Sequence, residues 1–229
     1  MAARLNIRTE ISMMILSCLV ILAPRFALAE QVYHLANGLD VRVVSAEEIA
    51  AQPQLAGIPL APADRKYYPF DEAQVVEALE TMTGFQTDLD VDVFILPTPP
   101  SQVASSYARG QVIYLAPGFG KVDPSTVAYI TTHEMGHVLT AAFLDGDAAR
   151  WDAYMELRGL DSVANGPSAA HADRAREILA EDFRFLFGGN LATASGSIEN
   201  HELATRTGFS GWKRCWLISW PAAPWWPPL

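Results

Sequence analysis

Histidines are scarce in this chain, five among 229 residues, and two of them stand four apart in Thr131-Thr132-His133-Glu134-Met135-Gly136-His137. On an α-helix, positions i and i+4 lie one above the other on one face. His133 and His137 can therefore present two ring nitrogens to one ion, at the roughly 2.0–2.1 Å typical of a zinc–imidazole bond. Glu134 follows His133 directly, so it flanks the ion rather than ligating it. From there it can take a proton from a water activated by Zn2+, which lowers that water's pKa to about 7. The same ion polarises a carbonyl, so these residue types at this spacing point to hydrolysis of a peptide bond. The motif specifies only three of its five positions, and the alternative is two structural histidines beside a solvated glutamate. The capped, apolar helix around the motif favours the metal.

A catalytic zinc normally keeps three protein ligands and one open position. Phe143 stands six residues after His137 and Thr140 occupies the glycine position, which excludes the metzincin pattern for the third ligand. The remaining source is a later helix carrying Glu177-Ile178-Leu179-Ala180-Glu181-Asp182-Phe183-Arg184. Glu177 and Glu181 share a face, so one can bind the metal while the other fixes a histidine tautomer from behind. Asp173 with Glu177 is a second pair at the same spacing, and Glu181 itself as ligand is a third option. Two solvated surface acids are the alternative to all of these.

Two helices must carry these groups. Asp123 as N-cap and Pro124 at the first helical position open the motif helix, which should run to about Leu144 and end near Asp145-Gly146. A helix is expected from Ala148 to about Leu160, and a longer one over 171–187, stopped by Gly188-Gly189. Upstream, Val41 to Ser45, residues 90–96 and Gln111 to Ala116 read as strands, with a helix near 72–82 that Asp71 caps and Gly84 closes. Residues 51–69, rich in Pro and Ala, read as an extended loop. Strands first and helices later predict an α+β fold rather than a doubly wound one. Gly136 inside the motif helix costs about 1 kcal/mol relative to Ala. A close approach of another element beside the metal would justify it.

The two-helix constellation resembles the gluzincin metallopeptidases, whose second motif is Glu-x-x-x-Asp/Glu. The run Glu177 to Arg184 is especially similar to the corresponding helix of the anthrax lethal factor protease domain, with its Glu-x-x-Ala-Glu-x-Phe-Arg pattern. The resemblance covers about a quarter of the chain. It implies a zincin-like domain with a small N-terminal sheet, an active-site helix and C-terminal helices. It implies His133, His137 and Glu177 as zinc ligands, Glu134 as general base and Glu181 as the partner that orients a ligand. Gluzincins usually stabilise the oxyanion with a tyrosine or histidine, for which Tyr154 and His171 are the candidates here. Zincins also bind an extended substrate along a sheet-edge strand. Gln111, Val112, Ile113 and Tyr114, just ahead of the motif helix, are the candidates, the alternative being a core strand. The chain is small for this group, so the group's substrate-recognition features are not carried over.

Composition narrows the setting. With 50% hydrophobic residues the chain can bury a sizeable core, and its net charge of −10 argues against a nucleic-acid partner. Residues 1–29 read as a signal peptide, with Arg4 and Arg8 before an apolar run from Ile11 to Ala23 and Ala27-Leu28-Ala29 as the cleavage signal. That run is shorter than the ~20 residues of a membrane span. Of 16 basic and 26 acidic residues the leader holds Arg4, Arg8, Arg25 and Glu10, leaving 13 and 25 and a net charge of −12. Cleavage would leave Cys215 as the one cysteine, so no internal disulfide is expected. Five of six tryptophans and four prolines crowd the last 18 residues, an irregular tail over 212–229 to which no function is assigned. The expectation is a secreted or periplasmic zinc endopeptidase over 30–211 acting on a polypeptide. The alternative is an inactive zinc-binding or polypeptide-binding envelope protein.

Overall fold

The computed structural model describes residues 31–194 and residue 200. The expected signal peptide, the tail over 212–229 and both cysteines lie outside the described residues. Among the described residues no helix is long and apolar enough to cross a membrane.

The fold is mixed α+β around a five-stranded sheet. Its strands are β1 (Gln31–His34), β2 (Asp40–Val44), β3 (Asp90–Ile95), β4 (Tyr107–Arg109) and β5 (Val112–Leu115), in spatial order β1-β2-β3-β5-β4. The central pairs β2/β3 and β3/β5 are parallel, and the outer strands β1 and β4 are antiparallel to their neighbours. The helical segments between residues 46 and 80 carry the chain back before β3, and β4 runs back along the sheet before β5, so both central pairs are parallel. The helices are α1 (Ala46–Ala51), α2 (Glu72–Glu80), α3 (Pro124–Phe143), α4 (Ala148–Arg158), α5 (Ala175–Phe187) and α6 (Gly189–Thr193), with 3-10 turns at Pro53–Ala56 and His171–Asp173.

Period-two alternation decides what each sheet face meets. Val41, Val43, Val91, Val93, Ile95, Ile113 and Leu115 join one core with Val75 and Leu79 of α2, Met135, Val138 and Leu139 of α3 and Leu179, Phe183 and Phe187 of α5. The opposite face carries Phe94 beside Ile49 of α1 in a smaller cluster. There Phe94 stacks on Tyr114, and Tyr114 on Tyr107 at the sheet edge. α3 lies in the middle of the helical layer, touching α2, α5 and α6 as well as β4 and β5.

Three differences from the sequence reading matter for the site. The helix expected over 171–187 is divided: Arg174 is extended (φ −69°, ψ 133°), and α5 starts at Ala175. Asn165 causes the break, its side-chain amide donating to the Asp173 carbonyl and its own carbonyl accepting from the Ala175 amide. Gly188-Gly189 ends α5 but also begins α6. The third difference is β4, a strand of three residues that the sequence reading passed over, joined to β5 through Gly110 at φ +59°.

Candidate metal centre

The centre is built where α3 crosses α5. Asp123 accepts from the amides of Ser125 and Thr126 at 3.1 Å each, and the Ser125 and Thr126 hydroxyls, with the Thr126 amide, hold its carboxyl down to about 2. That cap fixes the start of a 20-residue helix, and the two motif histidines follow on one face. Their rings meet edge to face, with centroids 5.0 Å apart. Gly136 answers for the close approach expected there. A Cβ at this position would stand 2.7 Å from Ala180 Cα and 2.8 Å from its carbonyl oxygen, so only glycine lets α5 come this near.

That contact falls at Ala180, between Glu177 three residues before it and Glu181 directly after it, so both acids come to the crossing point. The Glu177 carboxylate Oε2 lies 3.0 Å from His137 Nε2 and 3.3 Å from His133 Nε2. One donor atom from each of His133, His137 and Glu177 falls within 4.8 Å of the other two. Ligands of a tetrahedral ion bound at about 2.0–2.1 Å are about 3.3 Å apart, and the two Glu177–histidine separations are close to that, so this group could hold a metal ion. Behind it, Glu181 Oε2 sits 3.3 Å from Nδ1 of His133, the ring nitrogen that faces away from Glu177.

Electrostatics suit the same role. Burial favours neutral His137 and pushes its pKa below the ordinary value, against the opposing pull of Glu177. A neutral imidazole is the form that binds metal. Burial would raise both glutamates, but hydrogen bonds from His133 and His137 outweigh it at Glu177, whose carboxyl is held below its ordinary range. At Glu181 the Arg184 fork and His133 outweigh burial and draw the carboxyl down to about 2. Both acids are thus anionic at neutral pH, Glu177 facing both imidazoles and Glu181 facing the far nitrogen of His133.

A cavity of about 1100 Å³ opens over this triangle. His133, Glu134, His137 and Glu177 line its floor, and Tyr107, Ala108 and Arg109 of β4 form one wall. Glu134 is buried, at 6% exposure, in that floor. His171 stands on the rim, with its Nε2 3.7 Å from Glu177 Oε1 and its side chain largely in solvent. Arg176 pairs with Asp145 at the same rim. Asp173 lies on the 3-10 turn before α5 and is not among the metal-binding group.

Two candidates from the sequence are corrected. Tyr154 does not line the cavity: it is 4% exposed in the core, and its hydroxyl donates to Asp182 Oδ2 at 2.9 Å. An amphipathic α4 turns this ring toward α5 rather than toward the two motif histidines. Gln111, Val112, Ile113 and Tyr114 do not form a sheet edge, because β5 is paired with β3 on one side and β4 on the other. Ile113 is fully buried. The edge strand is β4, and it borders the cavity.

The sequence reading also missed Arg184 and Arg158. Both are buried arginines, and a buried guanidinium requires a carboxylate partner. Glu181 lies three residues before Arg184, and that spacing was the available signal; Arg158 is 24 residues from Asp182, with no local signal at all. Comparison of the chain with protein-family models, curated proteins and solved structures finds no match.

Proposed function

We propose that this chain is an exported zinc-dependent endopeptidase with a zincin-like arrangement of its active-site helices. The observation that carries the reading is the convergence of His133, His137 and Glu177 around one point, with Glu181 on the far nitrogen of His133. Two imidazoles and one carboxylate are the ligand set of thermolysin-type catalytic zinc, which leaves a coordination position open.

When bound, zinc supplies Lewis acidity toward the scissile carbonyl and toward water. The chain's own residues do the rest. Glu134, in the cavity floor, takes the proton from the attacking water and delivers it to the leaving amine. Glu181 keeps the His133 Nδ1 proton in place, so that Nε2 offers its lone pair to the metal. His171 is the remaining candidate for stabilising the oxyanion, since its ring is at the rim and can swing inward. β4, the outer strand of the sheet among the described residues, offers its edge to an extended polypeptide, which would lie beside Tyr107–Arg109 instead of beside β5.

The test is Glu134→Gln in the purified chain. Zinc content should remain near one per molecule, while peptide hydrolysis falls by about 10²–10⁴-fold. Equal activity in the two proteins, or a wild type that takes up no zinc, would refute the reading.

A further inference from the structure

Arg184 is one of the largest fully buried side chains of the described residues, yet it does not line the cavity. Its Nε and Nη2 donate to Glu181 Oε2 at 2.8 Å and Oε1 at 2.6 Å. Its Nη1 donates to the Ala192 carbonyl at 2.5 Å, which ties it to α6. The guanidinium carbon lies over two rings, 4.2 Å from the Tyr129 centroid and 4.5 Å from that of Phe185. Tyr129 in turn lies nearly parallel to the His133 ring, at 6.3 Å and 12°. Both the acid behind His133 and the ring beside it therefore rest on the same guanidinium.

A buried ion pair contributes little net stability, because desolvation cancels most of its attraction. Its geometric effect is larger. A fork engaging both carboxylate oxygens fixes the plane of that carboxylate. Without the fork, Glu181 could rotate about its last torsion and leave His133 Nδ1. The 3.3 Å separation between them is already long for a hydrogen bond, so a small rotation would break it.

We propose that Arg184 is a positioning residue of the metal centre, holding the Glu181 carboxylate and the Tyr129 ring so that His133 presents Nε2 to the ion. This rests on the zinc-site reading above, and the test separates the two. Zinc affinity is measured by chelator competition on the full chain, and hydrogen exchange of the His133 Nδ1 proton is followed by NMR on zinc-free protein. Arg184→Met should weaken zinc by about 10–100-fold, as loss of a partner behind a ligand does, and should abolish the protection of that proton. Arg184→Lys keeps the buried charge but not the fork. It should weaken zinc by about tenfold, and it decides the question should the methionine variant not fold. Asp182→Asn, which loosens the neighbouring buried pair, should leave both readouts at the wild-type level and so separates positioning from general destabilisation.

Zinc affinity within about twofold of wild type together with an unchanged Nδ1 proton, in Arg184→Met or in Arg184→Lys where the former is unfolded, would overturn the proposal. A wild type that binds no zinc would overturn the zinc-site reading instead. The exchange measurement, made without metal, would still judge whether Arg184 holds the ring.

Discussion

Glu181 and Asp182 are consecutive on α5, both are fully buried, and each is held by an arginine fork. Their further partners differ. Glu181 reaches His133 at 3.3 Å, whereas Asp182 takes the Tyr154 hydroxyl at 2.9 Å. One residue along a helix is about 100° around it. That rotation sends the first acid toward α3 and the cavity and the second toward α4 and the core. The comparison shows that a buried acid–arginine pair is not in itself the mark of a functional site. What the acid touches besides its arginine decides whether the pair bears on the histidine cluster or pins two helices together.

The comparison breaks most sharply at Asp182. Asp182→Asn strands the Arg158 charge in the core and should cost about 3–5 kcal/mol of unfolding free energy. Denaturant titration measures it, while zinc affinity should stay at the wild-type level. Glu181→Gln should behave the other way round in its functional effect. It should weaken zinc by about 10–100-fold, equivalent to roughly 1.4–2.7 kcal/mol, as read by chelator competition. If both variants lost zinc equally, the division of labour between the two sides of α5 would be wrong.

A smaller effect is expected with pH. The folded-state pKa of Glu181, about 2, lies below the ordinary 4.5. Its contribution to stability is therefore complete above about pH 4.5 and is lost as pH falls toward 2. The depressed pKa of the partly buried His137 acts in the same direction: the unfolded chain binds that proton more readily, so stability also falls once pH drops below the ordinary histidine value of 6.5. Thermal melts of zinc-free protein between pH 7 and 3 should show a falling midpoint, steepest below 4.5, with the acid limb flatter in Glu181→Gln. A flat profile in the wild type would mean that these groups are not coupled to folding.

Much of the frame was legible in the chain. The α2, α3 and α4 segments and the strands β2, β3 and β5 follow from caps, glycine stops and apolar periodicity, all of them local signals. β4 escaped because three residues, Tyr107-Ala108-Arg109, are too few to establish alternation. Its place at the edge depends on a hairpin through Gly110 and on which strand β5 pairs with, neither of which is local. The break at Arg174 escaped because the Asn165 bonds that impose it come from nine residues upstream. Tyr154 was misplaced because helical spacing tells which residues share a face but not what that face meets.

The sequence alone determined the chemistry on offer: two imidazoles four apart on a capped helix, a glutamate between them and acids at helical spacing on a later segment. Those facts are local, because helix geometry converts spacing directly into a shared face. The tertiary structure alone decided which acid faces the imidazoles, which strand borders the cavity and which tyrosine is core. Such choices depend on the crossing of α3 and α5, and that crossing is set where the absent side chain of Gly136 lets Ala180 approach. A contact between residues 44 apart cannot be computed from the periodicity of either helix, because it arises only when both are packed on the same sheet.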